Sequence, residues 1–307
     1  MGKRKTAFAI ATALVGTAAL IGAQGWDDAV AKAPAAPARV AAKPAMQSQI
    51  QIYLLAGQSN MVGYGMEGDL TPAEKTANPV IKVFGNDWVQ RNALDPLDIN
   101  TGQLDRVSNE CPPPPLQTGE VCAPMRVGPG LFFARNMVAN GAVGIVLIPC
   151  AKGGSSMDKW VTTSLSRDSL YGSCIQRARQ YYGNYPISGV LWYQGEADTQ
   201  NYDEVSNWPR KFRTLVDAFR RDLNRPNLPV VMVGLADKAT DPTTAENFPW
   251  WTAMQSNQAN INYPCTAHVS AKGLPLRPDQ VHLTTDGQRM LGPKLAVAMR
   301  TLRQTCT

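Results

Sequence analysis

Apolar residues along the chain follow two rhythms. Short, almost unbroken runs occur at Ile50–Gly57 (IQIYLLAG), Val80–Gly85, Gly144–Cys150, Gly189–Gly195 and Pro229–Ala236. They are rich in β-branched residues and have the length of strands buried on both faces of a parallel sheet. Thr266–Ala271 is a sixth candidate. Between these runs the period changes to that of a helix. Within Tyr202–Asn224, Phe212, Leu215, Val216 and Phe219 share one face, with basic residues opposite. Pro209 implies either a kink or a later start to that helix. The stretch GPGLFFARNMVANG has Pro129 suited to a first helical turn and Gly141 suited to a C-terminal cap. Thr285-x-x-Gln288 predicts a capping box opening a last helix through Leu291, Leu295 and Met299. Strand and helix in alternation predict an α/β fold, a three-layer α/β/α sandwich around a mostly parallel sheet of about five strands. Asp87–Arg126 lacks either rhythm and reads as a long, disulfide-tied loop over one end of the sheet.

The first residues change the picture of the whole chain. MGKRKT leads into the apolar AFAIATALVGTAALIG and a small-residue AQG near Gly25, the layout of a cleaved secretory signal over residues 1–25. The apolar run is short for a bilayer span, which needs about 20 residues. Residues 26–46 are rich in Ala and Pro and read as an extended linker. The folded body is then 47–307, exported to the outside or to a periplasm, with no membrane contact after cleavage. Most of the formal charge of +6 leaves with the N-terminal segment, which holds Lys3, Arg4, Lys5, Lys32, Arg39 and Lys43 against Asp27 and Asp28. No basic block survives in the body, which argues against a nucleic-acid partner. Six cysteines suit an oxidising compartment. They form no CxxC pair and have no clustered ligands, which argues against zinc. Fifteen pairings are open; Cys111 with Cys122, bracketing PPPPLQTGEV, is the best local one.

Three strand runs end in small polar clusters, which a parallel sheet gathers at one edge. They are Gly57-Gln58-Ser59-Asn60, CAKGGSS with Gly153 and Gly154, and WYQGEAD with Gln194, Glu196 and Asp198. A hydroxyl, a glycine pair and a side-chain amide together suggest an oxyanion site. A serine needs a base within hydrogen-bond reach, and the chain has two histidines, His268 and His282. His268 lies in a strand-like run and reads as structural. His282 sits in RPDQVHLTTDG, with Asp279 three residues before it and able to reach its ring. A polar loop closed by local turn bonds explains that spacing equally well. No G-x-S-x-G is present, so a nucleophile elbow is not the pattern.

Taken in order, GQSNM, CAKGGSSMDKW, LWYQGEAD and DQVHLTTDG resemble the motif blocks of SGNH (GDSL-like) hydrolases. More narrowly, they resemble the sialate O-acetylesterase-type domain of carbohydrate esterase family six, across roughly 50–302. The resemblance implies Ser59 as nucleophile and oxyanion donor, His282 as base and Asp279 as the acid that orients it. It also implies oxyanion donors from Gly153 or Gly154 and from the amide of Gln194. Glu196 is a rival acid, or a support for the strand-end loops. Trp160 and Tyr193 either face substrate or fill the core. Such chemistry requires no metal or organic cofactor. The function implied is a secreted serine esterase removing O-acetyl groups from a polysaccharide or oligosaccharide, as an acetylxylan esterase does. Alternatives are a sialate O-acetylesterase, a broader short-chain esterase, or a carbohydrate-binding protein without turnover.

Overall fold

The computed structural model describes residues 50–99, 107, 126–161, 164–181 and 186–306. The strands are β1 (Gln51–Gly57), β2 (Ile81–Phe84), β3 (Gln90–Asn92), β4 (Ile145–Pro149), β5 (Ile187–Tyr193), β6 (Val230–Gly234) and β7 (Thr266–Ser270). They form one sheet in the order β3-β2-β4-β1-β5-β6-β7. Every pairing is parallel except β2 with β3. The six apolar runs all became strands. The seventh, β3, has the sequence Gln-Arg-Asn, with no apolar residue to mark it, and lies inside the stretch expected to be loop. Cys111 and Cys122 lie outside the described residues.

Helices α1 (Ser59–Val62), α2 (Pro129–Ala139), α3 (Met157–Trp160), α4 (Leu170–Tyr181), α5 (Tyr202–Asp222), α6 (Pro242–Asn247), α7 (Trp251–Ala259) and α8 (Thr285–Thr305) complete the chain. α2 and α8 pack together on one side of the sheet, and α3, α4, α5 and α7 pack against one another on the other. The α2–α8 contact is close enough that a Cβ on Gly292 would lie 2.4 Å from the Cβ of Phe132, so only glycine fits there. The core of β-branched strand residues and the aromatic rings of Tyr53, Phe133, Trp192, Phe212 and Phe219 is fully buried. Trp160 and Tyr193 belong to it as well, with no exposed surface.

Two helix details differ from expectation. α5 begins at Tyr202, well before Pro209, capped by Asn201 accepting from the N–H groups of Asp203 and Glu204. Pro209 removes the N–H that would bond the Val205 carbonyl, and Asn257 Nδ2 of α7 supplies a donor to that carbonyl at 2.7 Å. The helix continues because its missing bond is made from outside. At α8 the cap is Thr284, whose hydroxyl accepts from Gly287 N–H. Thr285 and Gln288 are spent elsewhere, on the Met66 carbonyl and the Asn60 carbonyl.

Two disulfides lie among the described residues. Cys150–Cys174 ties the end of β4 to α4, and Cys265–Cys306 ties the start of β7 to the end of α8.

Candidate active site

β1 ends in Gly57, whose φ of +127° turns the chain tightly over β5; a Cβ there would lie 2.0 Å from the Tyr193 carbonyl oxygen. Two residues later Ser59 opens α1, at the carboxyl edge of the central strand, where crossovers part to either side. Ser59 Oγ lies 2.9 Å from His282 Nε2. His282 Nδ1 lies 3.0 Å from Asp279 Oδ2. Asp279 Oδ1 accepts from the N–H groups of Val281 and His282, each at 2.9 Å. Partial burial pushes the Asp279 carboxyl up, but the ring of His282 and these two N–H donors outweigh it and hold the group well below the usual carboxylate range. A carboxylate only accepts, so Nδ1 carries the ring proton and Nε2 presents its lone pair to Ser59. His268 lies on β7 with its side chain exposed, and desolvation and Lys272 hold its imidazole below the ordinary value.

The turn that carries His282 is held on several sides. Gln280 has a left-handed φ of +56°, and its Oε1 accepts from Thr240 N–H and Asp241 N–H. The His282 carbonyl accepts from Arg277 N–H, while Arg277 Nη1 donates to the Tyr64 carbonyl at 2.7 Å. The Tyr64 ring stacks on the imidazole, centroids 4.0 Å apart and planes 9° apart. Asn60, fully buried beside Ser59, brackets the base. Its Oδ1 accepts from Leu283 N–H at 2.9 Å and its Nδ2 donates to the Val281 carbonyl at 3.0 Å. Sequence reasoning missed Asn60, Tyr64, Arg277 and Gln280. Only the adjacency of Asn60 to Ser59 was a signal.

Glu196 is buried and does not bond the His282 ring among the described contacts. Its Oε1 accepts from Asn60 Nδ2 at 2.7 Å, and burial pushes its carboxyl up. Gln194 lies at the end of the same strand edge, bonded to the neighbouring loops. Its side chain is wholly buried, Nε2 donates to the Asp198 carboxylate and to the Ser155 carbonyl, and Oε1 accepts from Trp208 Nε1 at 2.9 Å. These bonds weld the strand-end loops together. Asp198 also accepts from Met157 N–H, and burial, against these bonds, pushes it up to about 6. Gly153 and Gly154 lie on the loop after β4; Gly154 is exposed, has φ +63° and faces open space. That loop is fixed to the turn before Ser59 by Lys152 N–H, which donates to the Gly57 carbonyl. Among the described residues no three His, Cys, Asp or Glu side chains converge as a metal cluster.

Residues 49–301 match the model of a family described as carbohydrate esterase, sialic acid-specific acetylesterase. A probable carbohydrate esterase of Arabidopsis thaliana is 31% identical over 276 residues, covering 83% of this chain and 94% of that protein. Its X-ray structure superposes with a TM-score of 0.67 at 30% identity, over 82% of this chain and 98% of that one. A probable 9-O-acetyl-N-acetylneuraminic acid deacetylase of Escherichia coli is 27% identical over 269 residues, 75% of this chain and 80% of its own. A carbohydrate acetylesterase from Xanthomonas citri shares the fold, with a TM-score of 0.59 at 21% identity over 83% of this chain and 56% of that one.

Proposed function

We propose, for a chain that belongs to the sialic acid-specific acetylesterase family of carbohydrate esterases, a serine mechanism run by Ser59, His282 and Asp279. Membership makes the chain a carboxylic ester hydrolase acting on acetylated carbohydrate. The hydrogen-bonded relay from Ser59 Oγ through His282 to Asp279 carries the mechanistic reading. Ser59 Oγ attacks the acetyl carbonyl carbon as His282 Nε2 takes its proton. Asp279 keeps the ring in the receptive tautomer and balances the imidazolium. The tetrahedral oxyanion is met by the N–H of Ser59 and by an N–H of the Gly153–Gly154 pair. His282 then returns its proton to the sugar oxygen, the alcohol leaves, and water, deprotonated by the same ring, cleaves acetyl-Ser59 to acetate.

The substrate we favour is an acetylated polysaccharide or oligosaccharide of the acetylxylan kind. The name of the Escherichia coli relative supports the second reading, a sialate O-acetylesterase. We also propose export through the signal of residues 1–25, a reading that the two disulfides support. The test is acetate release from acetylated xylo-oligosaccharide, from 9-O-acetylated sialic acid and from p-nitrophenyl acetate. Ser59→Ala should lower turnover by about 10⁶-fold. Wild-type rates in that variant would overturn the serine mechanism, and glycan binding without any turnover would leave a binding protein.

A further inference from the structure

Among the described residues, Tyr202 and Trp250 are the two large aromatic side chains that stand exposed. Tyr202 is 56% exposed and Trp250 39% exposed. Their rings nevertheless touch, centroids 4.7 Å apart and planes 56° apart. Single exposed apolar residues need no explanation, but a contiguous exposed aromatic surface marks a binding site. Tyr202 opens α5 after β5, and Trp250 immediately precedes α7 after β6. In a parallel sheet the helix that follows a strand starts at that strand's carboxyl edge, the edge that carries Ser59.

Hydrogen bonds join the backbone that carries the two rings to the turns of Ser59 and His282. Trp250 N–H donates to the Thr199 carbonyl at 3.0 Å. The segment leading to Thr199 is held by Gln58, beside Ser59, whose Oε1 accepts from Ala197 N–H at 3.3 Å. The loop leading to Trp250 is held by Gln280, within the turn that carries His282. Trp251, next in sequence, is buried and donates from Nε1 to the Ala236 carbonyl at 2.8 Å. The aromatic corner is therefore rigidly mounted.

Along the two segments, 199–207 and 239–253, there is no lysine or arginine, whereas Asp203, Glu204, Asp241 and Glu246 are present. Gln200, Asn201 and Asn247 stand exposed beside the rings in sequence. That composition repels an anionic sugar and offers amide groups to hydroxyls. Tyr and Trp present a broad apolar face with a polar edge, which matches the C–H face and hydroxyl rim of a pyranose.

We propose that Tyr202 and Trp250 form a secondary subsite that stacks a neutral sugar unit of an oligosaccharide while another unit of the same chain presents its acetyl group to Ser59. This rests on the esterase reading above and narrows its substrate to a neutral chain longer than one sugar. The test compares wild type with Tyr202→Ala/Trp250→Ala on acetylated xylohexaose, 9-O-acetylated sialic acid and p-nitrophenyl acetate. The double variant should raise KM for the hexasaccharide five- to tenfold with kcat within twofold, and leave both small substrates unchanged. Tyr202→Phe/Trp250→Phe should restore most of the hexasaccharide KM. An unchanged hexasaccharide KM in the double alanine variant, or an equal loss on all three substrates, would overturn the subsite. Xylohexaose titrated into Ser59→Ala, followed by isothermal titration calorimetry, reads the subsite without turnover. Binding there that is lost on Tyr202→Ala/Trp250→Ala upholds the subsite even if wild type releases no acetate, an outcome that sinks only the esterase reading. No saturable binding sinks the subsite.

Discussion

Asn60 holds the base from both sides in sequence, through the residue before His282 and the residue after it, while its own backbone continues from Ser59. Ser59 and His282 are thus registered by one side chain, and Glu196 keeps that side chain turned the right way. Loss of the bracket displaces Nε2 from Oγ without touching bound sugar. Asn60→Ala should therefore lower kcat by about 10²-fold with KM nearly unchanged, measured on p-nitrophenyl acetate. Gln194→Ala should behave differently. It leaves Trp208 Nε1 and the Asp198 carboxylate short of partners, and each buried orphan costs about 1–3 kcal/mol. The expected readout is a lower midpoint in urea. At this scale the sequence was legible where chemistry restricts residue type: a serine after a strand, and one histidine in a loop with an aspartate three residues away. The hydrogen-bond partners of Gln194 were not legible, because a motif names a side chain and not the direction of its amide. Nor were those of Asn60, which lie 221 and 223 residues away.

Elements show the same division. Strands made of apolar residues were read directly, while β3, all polar, was invisible. The cap of α8 fell one residue from the expected place because Thr285 and Gln288 serve tertiary contacts, which outrank a local capping box. Pro209 sits inside α5 only because Asn257, on another helix, replaces the missing bond; no local reading contains that information. The first turn of α8 is also clamped from outside, by Arg289 bonding both carboxylate oxygens of Glu74 at 2.7 and 2.9 Å. The Arg289 guanidinium, aided by Thr71, pulls the Glu74 carboxyl down to about 2. A carboxyl lowered on folding stabilises the native state above its unfolded value of about 4.3. That stability is lost as pH falls through the folded value. Between pH 5 and pH 2 the melting temperature of wild type should fall more steeply than that of Glu74→Gln. Parallel curves would dismiss the clamp as a source of acid sensitivity.

For the molecule as a whole, the alternation of strand and helix was enough to give three layers and a parallel sheet, since each element's burial pattern follows from its own period. Strand order and the second tie of the fold were not written locally. Cys265–Cys306 closes 41 residues that contain β7, the His282 turn and all of α8. Removing such a loop constraint costs about 4 kcal/mol in the chain-entropy account. Cys265→Ser/Cys306→Ser should show that loss in urea unfolding, together with faster proteolysis of the C-terminal helix.

Ser59 lies just after the first strand of the sheet and His282 just before the last helix, 223 residues apart. A ribosome therefore finishes the attacking half of the relay long before it supplies the receiving half. Until the closing segment is made and seated against Asn60, the serine lacks the base that we propose for it. On the mechanism proposed above, a chain cut short before His282 lacks its base and should release no acetate.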